Sequence, residues 1–159
     1  MDKNVENYFL ERAIELSLRG MHNGCGGPFG CVIVKNGEIV GEGYNMVIET
    51  NDPTAHAEIV AIRQACQNLQ SFQLNDCDIY ASCEPCPMCM GAIYWARPRR
   101  VIYANTRLDA AAIQFDDDFI YKEINTEGIL RHIPFIHLPH PLAIKVFEEW
   151  EKMDNKNLY

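Results

Sequence analysis

Residues 4–19 carry apolar side chains at Val5, Phe9, Ala13 and Leu16, with Leu10 and Ile14 widening the stripe, and Gly20 follows. That spacing predicts an amphipathic helix with its stop at Gly20. After a glycine-rich stretch, Cys31-Val32-Ile33-Val34 and Glu38-Ile39-Val40 flank Asn36-Gly37. Asn-Gly between apolar runs predicts a tight hairpin of two antiparallel strands. Asp52-Pro53-Thr54 precedes Ala55–Leu69, where Ile59, Ile62, Ala65, Cys66 and Leu69 recur at helical spacing, so a second helix is expected from near Thr54. Cys77–Ala81 reads as a third strand, Ser82–Pro87 as a proline-broken turn, Met88–Ala96 as a helix and Val101–Ala104 as a fourth strand. Strand, helix and strand over so short a span predict a right-handed parallel crossover, and the order of elements predicts a sheet sandwiched by helices. In the last third, a weak strand near Ile133–Leu138 precedes a helix over Leu142–Met153, with Val146, Phe147, Trp150 and Met153 on its apolar side. No repeat or low-complexity linker interrupts the pattern.

The chain's 159 residues make a single domain, with no room for a second catalytic one. At 48% apolar and 23% charged residues the composition is that of a globular protein. No apolar run approaches the roughly 18 residues of a membrane span. The opening MDKNVENYF carries acids and amides where a secretory leader would be basic and then apolar, so a cytoplasmic protein is expected. A net charge of −8 opposes nucleic acid and anionic lipid as partners. The basic run Arg97-Pro98-Arg99-Arg100 is short enough to be a solvated turn. Seven cysteines without an export signal read as thiols or metal ligands rather than a disulfide framework.

Two local patterns carry chemistry: Thr54-Ala55-His56-Ala57-Glu58 and Cys83-Glu84-Pro85-Cys86-Pro87-Met88-Cys89. Both lie where a helix begins, and such helix starts gather at one edge of an open α/β sheet. His56, Cys86 and Cys89 together make a borderline-soft donor set that suits zinc and leaves a fourth tetrahedral position for water. Two thiolates cancel the ion's charge and so acidify that water less than neutral imidazoles would, which makes a separate base useful. Glu58, two residues after His56, is placed to take the proton and pass it on. Singly, each residue has an ordinary explanation: packing for a His or Cys, chance or redox for Cys-x-x-Cys, the helix dipole for a first-turn Glu. In combination, His-x-Glu followed about 30 residues later by Pro-Cys-x-x-Cys is the signature of zinc nucleobase deaminases.

Competing metal readings are narrower. An iron–sulfur run through Cys83, Cys86 and Cys89 would need a fourth cysteine where Ile93 stands. A closed Cys₃His structural site that enlists Cys83 would make the chain a binding module and leave Glu58 idle. The Gly24–Gly30 stretch fails the dinucleotide fingerprint, because Phe29 occupies the third glycine position.

Gly26-Gly27-Pro28-Phe29-Gly30, Asn45, Thr54-Ala55-His56-Ala57-Glu58 and Pro85-Cys86-Pro87-Met88-Cys89 resemble the cytidine and deoxycytidylate deaminase superfamily over about the first hundred residues. Within it, Gly91–Pro98, Phe115–Ile124 and the terminal Tyr159 are similar to the bacterial guanine deaminase branch. The resemblance implies a three-layer α/β/α fold with a five-stranded mixed sheet. It implies one zinc ion per chain on His56, Cys86 and Cys89, with Glu58 as proton shuttle. It also implies hydrolysis of guanine, a small purine base, to xanthine and ammonia, with guanosine or another aminated heterocycle as the alternative substrate. By the same resemblance Phe29, Trp95, Ala57 and the amide of Asn45 line the base, and Asp117 contacts its amino edge and shares in catalysis. An acid there would suit the adjacent N–H donors of guanine and repel the bare ring acceptors of adenine and cytosine. Tyr159 would close the pocket in a domain-swapped homodimer exchanging residues from about 125 to 159. A tRNA adenosine deaminase would share the zinc motif but be expected to carry a basic surface.

Overall fold

The computed structural model describes residues 3–158. Helix α1 (Lys3–His22) leads into strands β1 (Gly30–Lys35) and β2 (Glu38–Tyr44), the short helix α2 (Val47–Thr50) and helix α3 (Ala57–Leu69). Strand β3 (Cys77–Cys83), helix α4 (Pro87–Ala96), strand β4 (Arg100–Asn105) and helix α5 (Arg107–Ala112) follow. The sheet order is β2-β1-β3-β4. β1 pairs antiparallel with β2 and β3, and β3 pairs parallel with β4, as a crossover through α4 requires. At the hairpin, Asn36 and Gly37 take φ of 53° and 84°, the left-handed pair of a type I′ turn.

Period-two alternation sorts the strand residues between two faces. On one, Val32, Val34 and Tyr80 meet Phe9, Ala13 and Leu16 of α1. On the other, Cys31, Ile33, Cys77 and Ile79 meet Ala57, Ala61 and Ala65 of α3 with Ile93 and Ala96 of α4. Burial on both faces explains why β1 and β3 read as continuous apolar runs. The three-layer α/β/α arrangement expected from the sequence is therefore present, around a four-stranded mixed sheet.

Three expectations need correction. α1 does not stop at Gly20 but continues to His22. Gly20 serves packing there, because a Cβ at that position would stand 2.6 Å from the Tyr44 ring. α3 begins at Ala57 rather than near Thr54, because the Asp52 carboxylate accepts bonds from the Thr54 N–H at 2.8 Å and hydroxyl at 2.7 Å, closing a separate turn. Among the described residues, no fifth strand forms near Ile133–Leu138. Pro134 and Pro139 remove ladder donors, and the Phe135 N–H is spent on the Gly128 carbonyl at 2.8 Å.

Residues 118–159 form a second compact unit. It holds helix α6 (Asp118–Ile124), a 3₁₀ turn (Gly128–Leu130) and helix α7 (Pro141–Lys152), and none of these elements contains a buried residue.

Candidate metal centre

His56 is the N-cap of α3 and Cys86 the N-cap of α4, both with extended backbones and neither side chain spent on capping. Pro87 at the first position of α4 suits a helix start, where its missing N–H costs nothing. The two helix N-termini, each carrying partial positive charge, thus bring their cap side chains together, and Cys89 joins from the first turn of α4. The Cys86 and Cys89 Sγ atoms lie 3.5 and 3.6 Å from His56 Nδ1. All three donor atoms fall within 4.8 Å of one another. A tetrahedral zinc with ordinary Zn–S and Zn–N bonds has an S···N edge of about 3.6 Å, so the donor set fits zinc as it stands.

The electrostatics favour metal uptake. The Cys89 thiol bond and, against burial, the His56 ring lower the Cys86 pKa to about 4, so this thiol is ionised at neutral pH. Sharing that bond and being buried, Cys89 is pushed upward and keeps its proton until a metal displaces it. The His56 pKa is raised, chiefly by its bond to Cys86. Glu58, 8% exposed, sits in the first turn of α3 with Oε2 accepting from Cys89 Sγ at 3.4 Å. Burial raises its pKa, with the Cys86 charge adding to the effect. Cys83 stands apart. Its Sγ donates to the Thr106 carbonyl at 3.5 Å and burial pushes its pKa up to about 11, so a closed four-ligand site finds no support in the geometry.

The remaining expected residues divide. Asn45 is buried, its N–H donating to the Phe29 carbonyl at 3.0 Å and its Oδ1 accepting from the Val47 N–H at 3.2 Å. Ala57 is buried at the start of α3, where first-turn N–H groups lack intrahelical partners. Phe29 meets Phe115 edge to face, ring centres 4.9 Å apart. Asp117 is half-buried, and its pKa is raised by burial and then by the Cys86 charge, against an opposing pull from Arg107. Trp95 is 64% exposed, six residues and about 9 Å along α4 from Cys89, so the structure does not bring it to the donor set. Tyr159 lies outside the described residues. The Phe115–Phe29 contact was not foreseen, because one aromatic ahead of an acidic run gives no spacing signal.

The cytidine and deoxycytidylate deaminase zinc-binding region matches residues 3–105. Guanine deaminase of Bacillus subtilis is 54% identical over 95% of this chain and 97% of its own. The X-ray structure of guanine deaminase from Bacillus subtilis superposes with a TM-score of 0.94 at 53% identity, covering 96% of this chain and 98% of that one. A tRNA-specific adenosine deaminase of Buchnera aphidicola is 35% identical over 84% of this chain and 88% of its own.

Proposed function

The chain belongs to the cytidine and deoxycytidylate deaminase family, and from that premise we propose that it is a zinc-dependent hydrolase converting guanine and water to xanthine and ammonia. The observation that carries this reading is the three-donor set at two helix starts with a buried Glu58 against it, on a chain similar to guanine deaminase over nearly its whole length. His56, Cys86 and Cys89 hold one zinc ion per chain, and bound zinc supplies the Lewis acidity that makes water nucleophilic at neutral pH.

The protein's own groups do the rest. Glu58 accepts the proton of the attacking water and delivers it to the ring nitrogen beside the amino-bearing carbon. Its burial keeps it from solvent, so the proton moves between reactants. Asp117 accepts the N–H donors of the amino edge and shares in moving the proton with which ammonia departs. The Asn45 amide, the backbone at Ala57 and the Phe29 ring orient the base.

Trp95 would line the base, and Tyr159 would close the pocket in a domain-swapped homodimer exchanging residues from about 125 to 159. No helix among the described residues is long and apolar enough to cross a membrane, and a cytoplasmic enzyme accords with this. The −8 charge favours a free base over tRNA as substrate.

Ammonia release from zinc-loaded protein, measured on guanine, guanosine, adenine and cytosine in parallel, is expected to be fastest on guanine. Faster release from guanosine would move the substrate to the nucleoside, and none from any would leave a structural zinc module.

A further inference from the structure

We propose that Glu84 is a positioning residue that ties the metal-bearing turn to the segment carrying Asp117. Three hydrogen bonds join consecutive residues of the two chain segments. Cys83 Sγ donates to the Thr106 carbonyl at 3.5 Å, the Glu84 N–H to the Asn105 carbonyl at 2.8 Å, and the Arg107 N–H to Glu84 Oε2 at 3.0 Å. The parallel pairing of Cys83 with Asn105 ends at the same point. Two residues further on from Glu84 is Cys86, a donor of the metal set.

Arg107 opens α5, whose N-cap Thr106 is already closed by a reciprocal box with Asp109. The Glu84 carboxylate thus takes a first-turn N–H that the box does not reach, and anchors the whole short helix at its start. At the far end of α5, the Phe115 N–H returns to the Ala110 carbonyl at 3.0 Å and its ring seats against Phe29. Asp117 follows two residues later. The path therefore runs from Cys86 through Glu84 to α5, and then along the chain past Phe115, whose ring is held on Phe29, to Asp117. Losing the Glu84 anchor frees α5 to tilt and shifts a carboxyl that must meet the base within a fraction of an ångström.

The inference rests on the reading of Asp117 given above, and the test separates the two. Steady-state kinetics on guanine and zinc content are measured for Glu84→Ala, Glu84→Gln, Asp117→Asn and the double variant Glu84→Ala/Asp117→Asn. All four are expected to hold about one zinc per chain. Glu84→Ala should lower kcat about tenfold to a hundredfold. Glu84→Gln, whose amide oxygen still accepts the Arg107 N–H, should stay within about threefold of the parent. The double variant should fall no more than about twofold below Asp117→Asn alone, because a residue acting through Asp117 has little left to position once Asp117 is altered. Unchanged kcat in Glu84→Ala, equal loss in Glu84→Gln, multiplicative losses in the double variant, or loss of zinc would each overturn the proposal while leaving the Asp117 role standing. Unchanged kinetics in Asp117→Asn would instead remove the reading on which it depends.

Discussion

Glu58 must be buried enough to keep a proton from bulk water and close enough to the metal donors to meet the reacting water, and the first turn of α3 meets both needs. Glu58→Gln keeps the shape without the basicity, so turnover should drop about 10²- to 10⁴-fold while zinc content and thermal unfolding stay unchanged. Near-normal rates in that variant would reassign the base. For the ligands, Cys83→Ser should retain zinc and Cys86→Ser should lose it, as metal analysis of the purified variants can show. The donor set was legible from sequence because His56 and Cys86 both stand at helix starts, which gather at one edge of the sheet, and Cys89 lies within one turn of Cys86. Glu84, Arg107 and Phe115 were not legible. Their relations cross from one chain segment to another, through a backbone N–H and a ring contact that leave no periodic trace.

At the scale of elements, α3 can lie flat on the sheet because β2 offers glycine beneath it. A Cβ at Gly43 would stand 2.7 Å from the Ala61 N atom and collide with the Ala57 carbonyl. Gly43→Ala should cost about 1–3 kcal/mol in chemical unfolding and weaken zinc binding, since the helix start that carries His56 must move. The outer edge of β2 is covered by the same helix, with Gln64 accepting from the Glu42 N–H at 2.6 Å and Asn68 donating to the Val40 carbonyl at 2.9 Å. A second structural device fixes β3 to β4. The Asp78 side chain is 1% exposed and accepts from Arg99 at 2.7 Å and Arg100 at 3.0 Å. Burial alone would raise its pKa, but the two guanidiniums outweigh burial and hold it below the ordinary value. A depressed carboxylate contributes stability that is present above the ordinary pKa and lost as pH falls through the lower folded value. Replacing both Arg99 and Arg100 by Ala leaves burial unopposed. That variant should be less stable near neutral pH, and its penalty should grow as pH rises from about 4 rather than as it falls. Denaturation curves collected from pH 3 to 7 would show the reversed slope, and parallel curves for parent and variant would contradict it. The helices of the first hundred residues were legible because each buries one face at helical spacing, and β1 and β3 because burial on both faces makes them short continuous apolar runs bounded by turn residues. The strand expected near residues 133–138 does not form because Pro134 within it and Pro139 just after it withhold ladder donors.

The whole molecule poses a question of solvation. In residues 118–159 Phe135, Leu138, Leu142, Phe147 and Leu158 are all exposed, and no helix of that unit buries a side chain. Apolar surface on that scale is costly in water and marks a surface meant for a partner. A second copy of the chain is the partner that the proposed segment exchange supplies, and in such a dimer the tail of one chain would close the pocket of the other. Deleting residues 155–159 should leave zinc content and the fold of residues 3–117 intact while severely lowering turnover on guanine, because the proposed lid, which would exclude water and fix the base, would be removed. Co-expressing the truncated chain with a full-length Glu58→Gln chain distinguishes a tail acting in its own subunit from one acting in its partner. Random assembly makes about half of the dimers hybrid, and each hybrid would hold one site with an intact Glu58 and a donated tail, so about a quarter of the parental activity per chain should return. Purifying the hybrid through two different affinity tags should raise this to about half. An inactive hybrid of confirmed composition would confine each tail to its own subunit, and a fully active truncated protein would remove the lid altogether.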